Sequence, residues 1–213
     1  MIKDSPLHNS AYSNDVQKCE KFLASGVNVN VIDEYGLTAL HAASSGGSLK
    51  VCKLLISHGA PVNAVDKGQR SALHLSVYRG FTEISALLLS NGAQLDVKNN
   101  KGRSPLYFSV LGKSQHDAML LLKHGALVDA SDNDGRSPLR CAYENGYTQL
   151  CLLLLESGAN PDAIKPIVIG AKVSPFQDCA TVVNAWLVKQ AAWAAVSDAV
   201  QSISSNHLAG KKP

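Results

Sequence analysis

Residues 38–47 read TALHAASSGG, and variants of this stretch return four more times in the same phase. SPLHNSAYSN begins at Ser5, SALHLSVYRG at Ser71, SPLYFSVLGK at Ser104 and SPLRCAYENG at Ser137, so each start follows the last by 33 residues. Five copies without a slip are the signature of a stacked repeat protein, in which a short unit is copied along the chain.

Residues 66–98 show what one copy does. Ser71 has the chemistry of a helix N-cap, and Leu73, Ser76 and Val77 follow at helical spacing. Gly80 breaks this first helix. Thr82 is expected to cap a second, whose apolar face includes Ile84, Leu87 and Leu88. Gly92 stands where a left-handed residue would end that helix, and QLDVKNNKG reads as a turn leading to the next copy. The unit is helix, turn, helix, loop. It cannot bury its apolar face alone, so stability must come from stacking on its neighbours.

The period, the TALH and SPLH openings, the mid-repeat Gly47, Gly80 and Gly146, and the closings SHGAPVNAVD and ESGANPDAI resemble ankyrin repeats. The resemblance covers residues 2–164 and implies an all-α solenoid of paired antiparallel helices with finger loops projecting at one edge. The expected units are 1–32, 33–65, 66–98, 99–131 and 132–164. The first is polar where inner copies are apolar, with Lys18 and Lys21 in the columns of Val51 and Leu54, as an N-terminal cap requires.

Some positions depart from the pattern. Tyr107 and Arg140 replace the histidine found as His8, His41 and His74. Gln69 stands where Gly36, Gly102 and Gly135 mark the finger turn, so that finger is expected to differ in shape. Lys113 replaces the mid-repeat glycine, and Ser114 with Asp117 forms an S-x-x-D capping pattern. The second helix of the fourth repeat is therefore expected to start late, making this repeat the local weak point.

Residues 165–213 break the period. Ser174 and Gln177 form a capping box with Pro175 at the first helical position, so a helix is expected near Pro175. Phe176, Ala180, Val183, Leu187, Ala191 and Ala194 then follow helical spacing, with Trp186, Trp193, Val196, Val200 and Ile203 as a second stripe. Residues 165–203 read as a degenerate sixth repeat or helical cap docked near Leu152, and 204–213 as a disordered tail.

Of the 213 residues, 46% are hydrophobic and 17% charged, with a net charge of +3. The repeats through residue 164 balance fifteen basic against fifteen acidic residues. They lack the basic excess of a nucleic-acid binder. No apolar leader opens the chain, and the uncharged stretches are too polar to span a bilayer. A cytoplasmic setting, or a nuclear one, is expected. Cys19, Cys52 and Cys151 share one column with Ser85 and Ala118, a small structural position. No Cys19–Cys52 disulfide is expected, because packed helices stand ~8–10 Å apart.

No cofactor, metal or catalytic site is expected. One histidine per repeat does not assemble a tetrahedral site, and the resemblance gives this histidine a structural hydrogen-bonding role. Neither a P-loop nor a dinucleotide fingerprint is present. The resemblance instead implies a monomeric, non-catalytic adaptor that binds another protein through its concave face and fingers. Its exposed columns hold Tyr35, Leu37, Arg70, Tyr78, Arg79, Arg103, Leu111 and Arg136 as the candidate binding residues. Arg70, Arg103 and Arg136 form a ladder, one rung per repeat, which suits a partner with acidic residues. Two other functional classes stay open: a membrane-associated scaffold using the C-terminal segment, and an enzyme or enzyme subunit with a site hidden from sequence. The resemblance further implies Asn63, with Leu55 eight residues before it, as a hydroxylation acceptor.

Overall fold

The structure is a computed structural model and describes residues 6–164, 179, 181–190 and 192. Ten α-helices form five pairs: α1 (Pro6–Tyr12) with α2 (Val16–Ala24), α3 (Ala39–Gly46) with α4 (Leu49–Ser57), and α5 (Ala72–Arg79) with α6 (Thr82–Ser90). The last two pairs are α7 (Pro105–Leu111) with α8 (Gln115–Lys123), and α9 (Pro138–Glu144) with α10 (Thr148–Glu156). A 3-10 turn, Pro161–Ala163, packs against α9. The first helices stack in one layer, α1 on α3, α3 on α5, α5 on α7 and α7 on α9, while α2, α4, α6, α8 and α10 stack behind them. Among the described residues there are no strands, only isolated bridges, Ile32 to Thr38 and Val65 to Ser71, at the necks of two fingers.

The repeat period becomes packing because each core column is filled by one residue per unit. Leu7, Leu40, Leu73, Leu106 and Leu139 are buried in the first helices, and Leu55, Leu88, Leu121 and Leu154 in the second. Ser10, Ala43, Ser76, Ser109 and Ala142 are small and buried, which lets the helix layers approach closely. Ser10, Ser76 and Ser109 satisfy their hydroxyls on carbonyls three or four residues back. The column of Cys19, Cys52, Ser85, Ala118 and Cys151 is fully buried, and all five cysteines are free thiols.

Three local expectations need correction. Thr82 does not cap α6. The N-cap is Phe81, without a side-chain bond, and Thr82 is the first helical residue, its hydroxyl donating to the Asp117 carboxylate at 3.2 Å. Gln69 does not give its finger a different shape, because it adopts the left-handed φ of +59° itself. Nor does α8 start late. Lys113 takes φ +58°, the conformation of Gly47 and Gly80 in its column, and the chain turns on schedule. In each unit the amide that follows this residue bonds back into the first helix, as Ser48 to the Ala43 carbonyl, Phe81 to Ser76, Ser114 to Ser109 and Tyr147 to Ala142. That closed turn fixes the start of the second helix whatever residue occupies it.

Residues 181–190 are helical. Cys179 and Val183 are buried in the common core, and Trp186 and Leu187 pack against it. The expected helix start near Pro175 and the tail at 204–213 lie outside the described residues.

Candidate functional site

From α3 onward, each first helix opens with a Ser or Thr cap. At Thr38 and Ser71 the cap oxygen accepts from the amide of the third helical residue, a histidine, whose Nδ1 accepts from the cap amide in return. Histidine thus closes the box that Glu or Gln usually closes. With Nδ1 accepting, Nε2 carries the proton. His41 Nε2 donates to the Arg70 carbonyl at 3.0 Å and His74 Nε2 to the Arg103 carbonyl at 3.1 Å. His8 Nε2 makes the same bond to the Leu37 carbonyl at 2.7 Å. Among the described residues its buried Nδ1 meets no hydrogen-bond partner; Ser5, which holds the cap column there, lies outside them. Each histidine therefore ties its own repeat to the finger of the next. Burial holds the His41 imidazole below its ordinary pKa and pushes His74 down to about 4, so both are neutral bridges at pH 7.

The acceptor carbonyls belong to Leu37, Arg70 and Arg103, three of the candidate binding residues. A second column holds the fingers from inside. Asp33 Oδ1 accepts from the amides of Tyr35 and Leu37, and Asp66 Oδ1 from Gly68 and Arg70. Asn99 Oδ1 accepts from Lys101 and Arg103, and Asp132 Oδ1 from Asp134 and Arg136. Every finger is thus the same side-chain-nucleated turn. The fingers are also stitched to one another: Lys67 N–H donates to the Tyr35 carbonyl, Asn100 N–H to Gly68 and Asn133 N–H to Lys101, at 2.9–3.0 Å. Sequence reasoning missed the Asp33, Asp66, Asn99 and Asp132 column, although its 33-residue recurrence was visible.

The structure brings the arginine ladder together but neutralises much of it. Arg70 Nη2 lies 2.6 Å from Asp66 Oδ2, and Arg103 Nε reaches across to Asp132 Oδ2 of the next finger at 3.3 Å. Arg136 Nε stands 3.4 Å from that same oxygen, too poorly aligned for a hydrogen bond, while its Nη2 donates to Asp134 at 2.6 Å. Asp66 and Asp132 are buried. Burial alone would raise the Asp132 carboxyl, but hydrogen bonds from the Arg136 amide and the Arg103 side chain outweigh it and hold the group below the usual carboxylate range. Arg103 also lies over the Tyr107 ring, 5.0 Å from its centroid. Tyr107, in the histidine column, lies close enough to Asp132 and to the Cys141 thiol to influence both.

The remaining candidates divide by exposure. Tyr35 is 63% exposed at a finger tip and Tyr78 46% exposed at the end of α5, edge-on to Phe108. Arg79 is exposed beside Tyr78, and Tyr12, in the Tyr78 column, is 51% exposed. Leu37 is half-buried and, with Tyr12, Asp33, His41, Ser45 and Arg70, lines a cleft of about 290 Å³ between the first helices and the fingers. Leu111 is half-buried and packed against the core. Asn63 is exposed, yet its amide donates to the Gly92 carbonyl and accepts from the Gln94 amide, both at 2.9 Å. Asp96 and Asp129, 33 and 66 residues on, accept from Leu127 and Asn160 in the same way.

Among the described residues, no group of three or more His, Cys, Asp or Glu side chains is arranged to hold a metal ion, and no helix is long and apolar enough to cross a membrane. A family model described as ankyrin repeats (3 copies) matches residues 7–99 and again residues 86–165. No protein of curated function matches the chain.

Proposed function

The chain belongs to the ankyrin-repeat family, whose members are generally protein–protein interaction modules and typically not enzymes, and from that premise we propose that it is a non-catalytic adaptor. It binds a protein partner along the concave face, using the exposed Tyr35, Tyr78 and Arg79 together with the cleft that Tyr12, Leu37 and Arg70 line. The observation that carries this reading is the contrast between rigid backbone and exposed aromatic side chains. The fingers are fixed by histidine, Asx and finger-to-finger bonds, while large tyrosines are left uncovered. Ordered aromatics on a rigid frame lose little entropy on binding.

Arg70, Arg103 and Arg136 keep unused N–H donors beyond their internal ion pairs, since a guanidinium has five. An acidic segment of the partner fits those donors. Leu111 contributes through packing. We further propose that residues 165–203 cap the stack, that the protein is a monomer, and that it works in the cytoplasm or nucleus, where free thiols persist. Asn63 is the proposed hydroxylation acceptor. Its amide must first leave Gly92 and Gln94, and intact mass after exposure to an asparaginyl hydroxylase should rise by one oxygen.

The test of the adaptor reading avoids the arginines, because replacing them would leave Asp66 and Asp132 buried without counter-charge. A Tyr35→Ala, Tyr78→Ala, Arg79→Ala variant touches only exposed side chains. In parallel pull-downs from cells, proteins captured by the wild type should be lost from the variant while its melting temperature is unchanged. Capture of the same proteins by both would reject this surface.

A further inference from the structure

Of the five cysteines, three have neighbours that explain them as core thiols. Cys52 pairs with the Ser44 hydroxyl at 3.8 Å, Cys141 accepts from the Asn145 side-chain amide at 3.8 Å, and Cys19 is enclosed in α2. Burial pushes the Cys19 and Cys52 thiols up to about 11, where almost no thiolate exists to react. The other two differ. Cys151, on α10, and Cys179, 28 residues further along the chain, place their sulfurs 3.5 Å apart in the core.

We propose that Cys151 and Cys179 are a redox-active pair, which a hydroperoxide oxidises to a disulfide that fastens the C-terminal segment to the last repeat. The sulfurs need only close from 3.5 Å to about 2.05 Å. The two sulfurs share one hydrogen bond, and Thr148 lies beside Cys179. These neighbours favour the thiolate at Cys179, held at about 7, while its partnership with Cys179 and its own burial keep the Cys151 proton in place. One sulfur is thus prepared as nucleophile and the other as its neighbouring thiol.

The chemistry balances with one hydroperoxide. The Cys179 thiolate attacks a peroxide oxygen. An S–O bond forms, the O–O bond breaks, and the departing oxyanion takes a proton, leaving a sulfenic acid. Cys151 sulfur then displaces the hydroxyl group. The S–S bond forms, the S–O bond breaks, and the Cys151 proton leaves with hydroxide as water. Two sulfurs have lost two electrons, and with hydrogen peroxide as oxidant the products are the disulfide and two waters. Both sulfurs are buried, so a small uncharged oxidant such as hydrogen peroxide is the kind that can reach the docked pair.

The test uses the full chain, reduced and then exposed to hydrogen peroxide, with remaining thiols alkylated before non-reducing digestion and mass spectrometry. A peptide pair linking Cys151 to Cys179 should appear and vanish with dithiothreitol. The oxidised protein should melt several degrees higher than the reduced one, because the cross-link restricts the unfolded chain. Cys179→Ser should remove both the link and the shift while its reduced form melts close to the reduced wild type. Failure of the wild-type chain to form the link would overturn the proposal, as would links made through Cys141, or a Cys151–Cys179 link that leaves the melting temperature unmoved.

Discussion

Two side chains hold backbone conformations that glycine holds elsewhere in the same columns. Gln69 sits at φ +59° and Lys113 at φ +58°, a region that costs an L-residue about 1–2 kcal/mol. Gln69 is exposed at its finger, whereas the Lys113 ammonium lies over the Tyr147 ring, 4.7 Å from its centroid. Gln69→Gly should therefore raise unfolding stability by about 1 kcal/mol. Lys113→Gly should gain less, because it forfeits the cation–π contact. Urea denaturation of both variants checks the order, and an equal gain would deny the Tyr147 contact any weight. These sites show why single-residue departures misled sequence reading. A missing glycine suggests an altered finger or a late helix start, but the surrounding main-chain bonds impose the turn and the side chain tolerates it. Asp117 occupies the apolar column of Val51, Ile84 and Leu150, and it is buried with Oδ2 accepting from Ser114 and Thr82 but Oδ1 unpartnered. Unsatisfied burial of that kind destabilises.

At the scale of the element, the period was enough to place every described helix pair, because a Ser or Thr opening, a mid-unit turn and a Leu-rich face each recur once per copy. What it could not place was the pairing between fingers and their internal carboxylates, since an Arg column alone does not say which acid lies behind it. The joints between elements also set a pH dependence. His74 is neutral in the fold and pushed down to about 4 by burial, against an ordinary value near 6.5. As pH falls below the ordinary value the unfolded chain takes up this proton while the folded one does not, so stability present at neutral pH is lost between about 6.5 and 4. The loss attributable to His74 should reach about 3 kcal/mol, with His41 shifted in the same direction. Urea midpoints measured from pH 7 to 4 should fall across this window, and a His74→Gln protein, less stable at pH 7, should show a shallower slope. A slope unchanged by the substitution would mean His74 is not the group being titrated.

For the whole molecule, the end of the stack matters most, since a repeat array needs its last apolar face covered. Cys179 and Val183 enter the core there, and Trp186 and Leu187 pack on it. The protein's two tryptophans, Trp186 and Trp193, both lie in this segment, so emission reports on it alone. Val183→Asp places a carboxylate at a fully buried site and should weaken the contact by about 3 kcal/mol. Tryptophan emission should then shift to the red at a lower denaturant concentration than the loss of helical circular dichroism, whereas the wild type should lose both nearer together. Coincident transitions in the variant would place the segment inside the cooperative unit of the repeats. The histidine bridge carries a further consequence, for heredity. Its acceptor is a main-chain oxygen, present whatever side chain a mutation writes there. His41 reaches the Arg70 carbonyl and His74 the Arg103 carbonyl across the same sequence separation. In-frame loss of residues 66–98 would hand the Arg103 carbonyl to His41, and duplication of that stretch would add one more identical joint. The gene can grow or shrink by complete units with its joints intact, while an inserted single codon in a finger breaks one.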